Sequence, residues 1–438
     1  MTGLAARLAG FASGPAPRDP DLARTVRLSL YDWATVGLAG QGEPVAEAAF
    51  ALARSEPGKA TLFGGGQAGA RAAALANGAA SHALDYDDTH FLHIGHPSVA
   101  VIPAALAVAE TRGTSGEALL DALALGLETA CRVGDWLGRG HYEAGFHQTG
   151  TSGAFGAAVA AGRLAGLDAG GLEAAIGLTA TRAAGLKSQF GTMGKPLNAG
   201  FAAEVGVTCA LLAEAGARSA PEAMEGPQGF GPTHGGGARK EAFDGLGETW
   251  VFPQISYKFH ACCHGLHAML EAMRDPAITT LDPEKITKIE VTTHPRWLAV
   301  CNQPRPETGL AAKFSYRLTA AMALAGVDTA ALESYSAETC ARPDLVALRD
   351  KVEVRTDETL SDTAARVRLL CEDGESAEAG HDLVRDADAA ETEPRLRRKA
   401  AALLGTDRAE ALWDAVRSLS TSSLDTFTAR MAAAGDRS

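Results

Sequence analysis

From Asp21 to about Ala217, apolar residues recur three and four apart in nearly every segment, the spacing of one buried helical face. LARTVRLSLYDWATVGLAG, which Asp21 can cap, and PVAEAAFALARS, with Pro44 in its first turn, predict the first two helices. ARAAALANGAASHAL, PSVAVIPAALAVAETRG, SGEALLDALALGLETACRVGDWLG, SGAFGAAVAAGRLAGLD, LEAAIGLTATRAAG and NAGFAAEVGVTCALLAEAG predict more. Their Ala and Gly faces let helices approach closely. Residues 218–256, rich in Gly and Pro, read as an irregular connector. The period then changes to two: KITKIEVTTH, KVEVRTD and AARVRLLCEDGESAEAGH predict strands, with a turn at Asp373-Gly374. FSYRLTAAMALAG predicts a helix among them. The tail from LRRKAAALLG to TARMAAAG is helical again and is expected to return to the first domain. The fold class expected is mainly α with α+β. A large all-helical domain takes residues 1–261 and 397–438, and a smaller α+β domain takes 262–396.

Composition narrows the function. The 438 residues suit two domains, and 46% hydrophobic against 21% charged residues predicts a packed protein. No apolar run reaches the ~18 residues of a membrane helix, and Met1–Gly14 predicts no secretory leader. Seven scattered cysteines without a CxxC pair indicate neither a zinc ribbon nor a disulfide framework, so a reducing cytoplasm is expected. The net charge of −13 makes nucleic acid and anionic membranes poor partners. An anionic substrate would need a local cluster of positive charge. Only ten of the forty basic residues are Lys, so Lys195, among the small residues of GTMGKPLNAG, stands out.

HALDYDDTHFLHIGHP, residues 82–97, is the densest polar cluster, with three Asp, one Thr and four His. It lies between two helices and reads as a loop. A solvated acidic loop is the bland reading; four histidines favour a functional one. Asp85-Tyr86-Asp87-Asp88-Thr89 fits a DxDxT phosphatase pattern, but the segment before it is helical where that chemistry needs a strand. His90, His93 and His96 could bind a metal only if the segment were helical, against Gly95-His96-Pro97. A His oriented by an Asp for general acid–base work needs no metal. Gly64–Gly69 matches GxGxxG without a βαβ unit, and His234–Gly237 resembles an oxyanion loop in a chain without GxSxG. HYEAGFHQTGTSGAFG places His147 just before a helix whose start favours an anion. Lys195 opens another helix, where a Lys can hold a carboxylate. YKFHACCHGLH and AKFSY hold Lys258, three more histidines and Tyr316.

Taken in order, HALDYDDTHFLHIGHPSVAVIPAALAVAE, HYEAGFHQTGTSGAFG, GTMGKPLNAG, YKFHACC and AKFSY resemble the MmgE/PrpD family over residues 20–430. That family includes 2-methylcitrate dehydratase, cis-aconitate decarboxylase and iminodisuccinate epimerase. The resemblance implies a helical domain built from both chain ends with an α+β lid inserted, a homodimer, and no metal or organic cofactor. It implies catalytic roles for Asp85, His96, His147, Lys195 and Tyr316, and substrate binding by Thr89, Lys258 and His264. His260, His264 and His267 all stay open for the family's histidine in that stretch. The expected activity is a lyase, a dehydratase or decarboxylase, on a small di- or tricarboxylate. Lys195 and Lys258 would stabilise charge on a carboxylate while His96 and His147 move the proton and Asp85 orients one of them. An epimerase of an amino- or imino-dicarboxylate is the alternative within the family. A metal-dependent hydrolase and a non-catalytic binder are the alternatives outside it. Asp85, His96, His147 and Lys195 are expected to share one pocket.

Overall fold

The three-and-four spacing becomes a run of helices in the computed structural model, which describes residues 3–237, 239–385 and 389–433. They are α1 (Leu4–Ser13), α2 (Pro20–Gly40), α3 (Pro44–Ala53), α4 (Ala70–His82), α5 (Ser98–Arg112), α6 (Gly116–Glu143), α7 (Gln148–Leu164), α8 (Ala169–Ala180) and α9 (Gly194–Glu214). The cap of α2 is Asp19 rather than Asp21. Its Oδ1 accepts from the backbone N–H groups of Asp21 (2.8 Å) and Leu22 (3.3 Å), and Pro20 occupies the first turn, where no amide partner is needed. The GxGxxG stretch is the bend of a short antiparallel pair, β1 (Ala60–Thr61) and β2 (Gln67–Ala68).

The chain divides into two units, one of Met1–Tyr257 with Leu404–Ser438 and one of Lys258–Leu403. In the first, α4, α5, α6, α7 and α9 pack on one another. Trp33, Trp136, Phe155 and Phe243 are among the large side chains buried there. Tyr31 on α2 donates to the Ala409 carbonyl (3.1 Å) and packs edge-on against Trp413, tying the C-terminal segment to this unit. Helix α9 passes for a membrane span by length and apolarity, against the expectation that no run would, yet two-thirds of that stretch is buried inside the protein. Its Ala, Gly and Val residues serve close helix contacts instead.

The second unit holds a four-stranded sheet in the order β4-β3-β5-β6, formed by β3 (Ile286–Thr293), β4 (Val352–Thr356), β5 (Ala364–Cys371) and β6 (Ser376–Asp382). β3 runs parallel to β4 and antiparallel to β5, which pairs antiparallel with β6. Alternate residues of β5 are buried, as the period-two pattern requires. A helix, Tyr316–Leu324, packs on this unit as FSYRLTAAMALAG predicts.

Candidate active site

Three helices of the first unit begin at one place, and each brings a site residue. His96 lies two residues before α5, His147 is the N-cap of α7, and Lys195 is in the first turn of α9. Helix N-termini carry positive partial charge, so a Lys there is locally disfavoured unless an anion joins it. Asp85 is that anion: its Oδ2 lies 2.7 Å from Lys195 Nζ and its Oδ1 3.5 Å from His96 Nε2. The Asp85 backbone is in the left-handed region (φ 52°), a strained conformation that Asp tolerates better than most residues. Asp85, His96 and Lys195 thus form one connected cluster. His147 joins it through His82, whose ring lies nearly parallel to that of His147 with centroids 6.0 Å apart. Phe190 lies edge-on to the His147 ring and 5.4 Å from Lys195 Nζ. The Thr149 hydroxyl, in the first turn of α7, accepts from the backbone N–H of His96 (3.0 Å) and fixes the loop.

The electrostatics separate the histidines. His147 is buried, and its Nδ1 faces the Asn198 side-chain amide nitrogen at 3.1 Å. That amide also points at the Leu186 carbonyl (3.4 Å), so its nitrogen is the donor, Nδ1 of His147 accepts, and the neutral ring carries its hydrogen on Nε2. Burial, then the positive groups His82, Lys195 and His96, push the His147 pKa well below the usual histidine range. Asp87 is buried between two imidazoles. Its Oδ1 is 2.9 Å from His82 Nδ1, and its Oδ2 is 2.8 Å from His96 Nδ1, a charge contact by distance that lacks hydrogen-bond alignment. Burial pushes this carboxyl up, but His82 and His96 together outweigh it and hold it well below the carboxylate range.

Other residues of the motifs contact the surrounding fold. His90 Nε2 meets the Val251 carbonyl at 2.8 Å, and burial lowers the pKa of His90 to about 4 and that of His93 to about 3. The segment between them is a turn, so His90, His93 and His96 do not form the metal triad that helical spacing would give. A different group, His82, Asp85, Asp87 and His96, brings ligand atoms within 4.8 Å of one another. These atoms already pair among themselves and with Lys195, and a cation would have to break those contacts. The Asp88 carboxyl is pushed well up by burial and then by Asp32, and it accepts from the Ser98 hydroxyl at 2.5 Å behind the loop. Thr89 bridges to Ser256 through its backbone, and its hydroxyl donates to the Ser256 carbonyl (3.3 Å).

Lys258, His264 and Tyr316 belong to the second unit. His260 has both ring nitrogens engaged, by the Thr329 hydroxyl at 2.6 Å and Glu271 at 3.0 Å, and His267 is fully buried. His264 alone of the three is partly exposed. The Tyr316 hydroxyl donates to the Gly265 carbonyl (2.6 Å) and lies 3.0 Å from the Thr293 hydroxyl, and burial pushes its pKa up. Tyr316 thereby fixes the backbone beside His264. His82 and Asp87 lie in the polar cluster of the sequence without being assigned a role there, and Asn198 and Phe190 do not stand out. His82 reads there as the end of a helix. Asn198 carries one signal, its position three residues after Lys195 on the same helical face.

The fold thus gathers imidazoles, carboxylates and one lysine at three helix starts. Residues 6–242 match the MmgE/PrpD N-terminal domain and residues 260–421 the MmgE/PrpD C-terminal domain, so the chain belongs to the MmgE/PrpD family. It is 31% identical over 360 residues to a cis-aconitate decarboxylase of Aspergillus terreus, covering 73% of this chain and 72% of that one. It is 32% identical over 294 residues to a cis-aconitate decarboxylase-like protein of Aspergillus oryzae, covering 62% of this chain and 61% of that protein. It is 28% identical to human cis-aconitate decarboxylase over 64% of this chain and 60% of that one.

Proposed function

We propose that this protein is a cofactor-independent lyase that removes a carboxylate from a small unsaturated tricarboxylate of the cis-aconitate kind. The carrying observation is the Lys195–Asp85 pair (2.7 Å) held beside His96 at the helix starts of α5 and α9. In a chain of net charge −13, Lys195 and the helix starts supply the local positive charge a polycarboxylate needs, and Asp85 offsets it here. The similarity to proteins named cis-aconitate decarboxylase supports the choice of substrate.

The chemistry follows from the groups present. A substrate carboxylate takes the positive field of Lys195 and the helix starts, which Asp85 now neutralises. The carbon–carbon bond to the departing carboxylate breaks and carbon dioxide leaves. The electron pair moves through the adjacent double bond to a carbon beside a remaining carboxylate, and one proton is delivered there. His96, flanked by the carboxylates of Asp85 and Asp87, suits a ring that carries positive charge and donates this proton. His147, kept neutral with its hydrogen on Nε2, suits a hydrogen-bond donor to the carboxylate on which charge builds. Lys258 and His264 are proposed as substrate-binding residues of the second unit. Tyr316 is proposed to act by holding the Gly265 backbone.

Proton NMR in deuterium oxide with a chelator present tests this. With cis-aconitate, the expected product carries a terminal methylene and one deuterium, with one carbon dioxide released per turnover. Dehydration of a hydroxylated tricarboxylate, or α-proton exchange on an imino-dicarboxylate with cis-aconitate untouched, would replace the decarboxylase reading. Metal-dependent hydrolysis of another substrate, with cis-aconitate untouched, would restore the metal-dependent hydrolase.

A further inference from the structure

The proposed reaction uses His96 and leaves its neighbour His82 without a task, yet His82 is built into the same buried carboxylate. His82 ends α4 at 1% exposure, and Asp87 is fully buried with an imidazole on each oxygen. The rings of His82 and His96 sit 4.6 Å apart, tilted by 60°. An ionised carboxylate only accepts hydrogen bonds, so the Nδ1 that faces Asp87 at 2.9 Å must carry a hydrogen. His82 Nε2 is then left buried with no partner. Leaving a buried nitrogen unsatisfied costs free energy, and the bond to Asp87 is what offsets it. Asp87 in turn is a carboxylate whose direction is fixed from the His82 side, because its contact with His96 is close but poorly aligned.

We propose that His82 is a positioning residue for His96: by donating from Nδ1 to Asp87 it fixes the buried carboxylate, takes up part of its charge, and so sets how readily His96 holds its proton. Among the described contacts of the first unit, several charged and titratable groups surround His96. Asp85, Asp87 and His93 face it from its own loop, His82 from the end of α4, His147 from the start of α7 and Lys195, through Asp85, from α9. Of these, His82 alone engages Asp87 from the far oxygen. Without its donor, the full charge of Asp87 falls on His96, whose proton is then held more tightly. A more tightly held proton makes a weaker acid and a slower protonation step, while the groups that bind substrate stay in place.

The inference rests on the proton-donor role given to His96, and two amide substitutions isolate it. In His82→Asn the amide nitrogen stands near the Nδ1 position and keeps a donor toward Asp87. In His82→Gln it stands near Nε2 and does not. NMR of the protein with labelled histidine should show the His96 titration raised by about one pH unit in His82→Gln and close to native in His82→Asn. With the substrate identified, kcat should fall roughly tenfold in His82→Gln with KM little changed, and recover in His82→Asn. Equal His96 titrations in all three proteins would overturn the proposal, and so would equal displacement in both variants. The native protein supplies a check should either variant fail to fold. The nitrogen shifts of His82 must report a protonated Nδ1, and a bare Nδ1 refutes the proposal. These titrations need no substrate, so they stay readable if cis-aconitate is not converted, and conversion of cis-aconitate does not by itself support them.

Discussion

Lys195 stands where a helix already carries positive partial charge, a placement that weakens α9 and is compensated by Asp85 at 2.7 Å. In Lys195→Met the side chain keeps its length and loses its charge. Turnover should fall by roughly 10² and KM should rise, because the lost charge counts more in the transition state than in the bound substrate. In His147→Ala the hydrogen-bond donor at Nε2 is removed, and kcat should fall by about 10²–10³. Steady-state kinetics on the converted tricarboxylate checks both, and either variant with native kcat removes that residue from the reaction. Asp85, His96, His147 and Lys195 come from the motifs that carry the family resemblance, and the residues themselves mark only a polar cluster, a His before a helix start and a Lys among small neighbours. His82 and Asp87 are hidden for a physical reason. Their meaning lies in a carboxylate shared with His96, and neither sequence spacing nor residue type shows which oxygen faces which ring.

Among the elements, the crossing of α4 and α9 decides where Lys195 lies. A Cβ at Gly200 would sit 2.4 Å from the Leu75 carbonyl oxygen, and one at Gly78 2.9 Å from the Gly200 Cα, so the two backbones touch. Gly200→Ala cannot be absorbed by a side-chain rotation, since its nearest neighbour is backbone. It should cost about 1–3 kcal/mol, the usual range for overpacking, and should lower activity by shifting the start of α9. Gly10 in α1 is the control: a methyl group there would meet nothing within 4 Å, so Gly10→Ala should stabilise by about 0.5–1 kcal/mol. Chemical denaturation of the two variants beside the parent measures both, and a Gly200→Ala protein as stable as its parent would contradict the crossing. Helices α2 to α9 and the strands of the four-stranded sheet are readable from period, whereas α1 (Leu4–Ser13) and the β1–β2 pair are not among the elements the sequence predicts. The cap at Asp19 is not readable either, because Pro20 and Asp21 extend the helix two residues past the apolar pattern. The α9 stretch does not read as long and apolar because its Ala and Gly are small rather than strongly hydrophobic.

At the level of the whole molecule, stability should depend on pH through histidines buried as neutral rings. Burial holds His90 and His141 at about 4 and His93 at about 3, against roughly 6.5 in an unfolded chain. Between those values the unfolded chain binds more protons than the folded one. Stability therefore rises with pH across this window, and is lost as pH falls from about 6.5 toward 4. Asp88 and Glu128, whose carboxyls burial pushes up, act in the opposite sense, since the folded protein holds their protons where the unfolded chain has released them. A single substitution isolates the histidine contribution. In His90→Gln the amide nitrogen can replace Nε2 as donor to the Val251 carbonyl, which the native ring meets at 2.8 Å, without a group that titrates. Its loss of the contact between His90 Nδ1 and the His93 amide costs the same at every pH. The drop in unfolding free energy between pH 7.5 and pH 5 should accordingly be smaller in His90→Gln than in the parent, by about 2 kcal/mol for a proton uptake spread over about 1.5 pH units. Denaturant titrations of both proteins at the two pH values give this difference directly, and equal pH slopes would show that His90 is protonated in the folded protein.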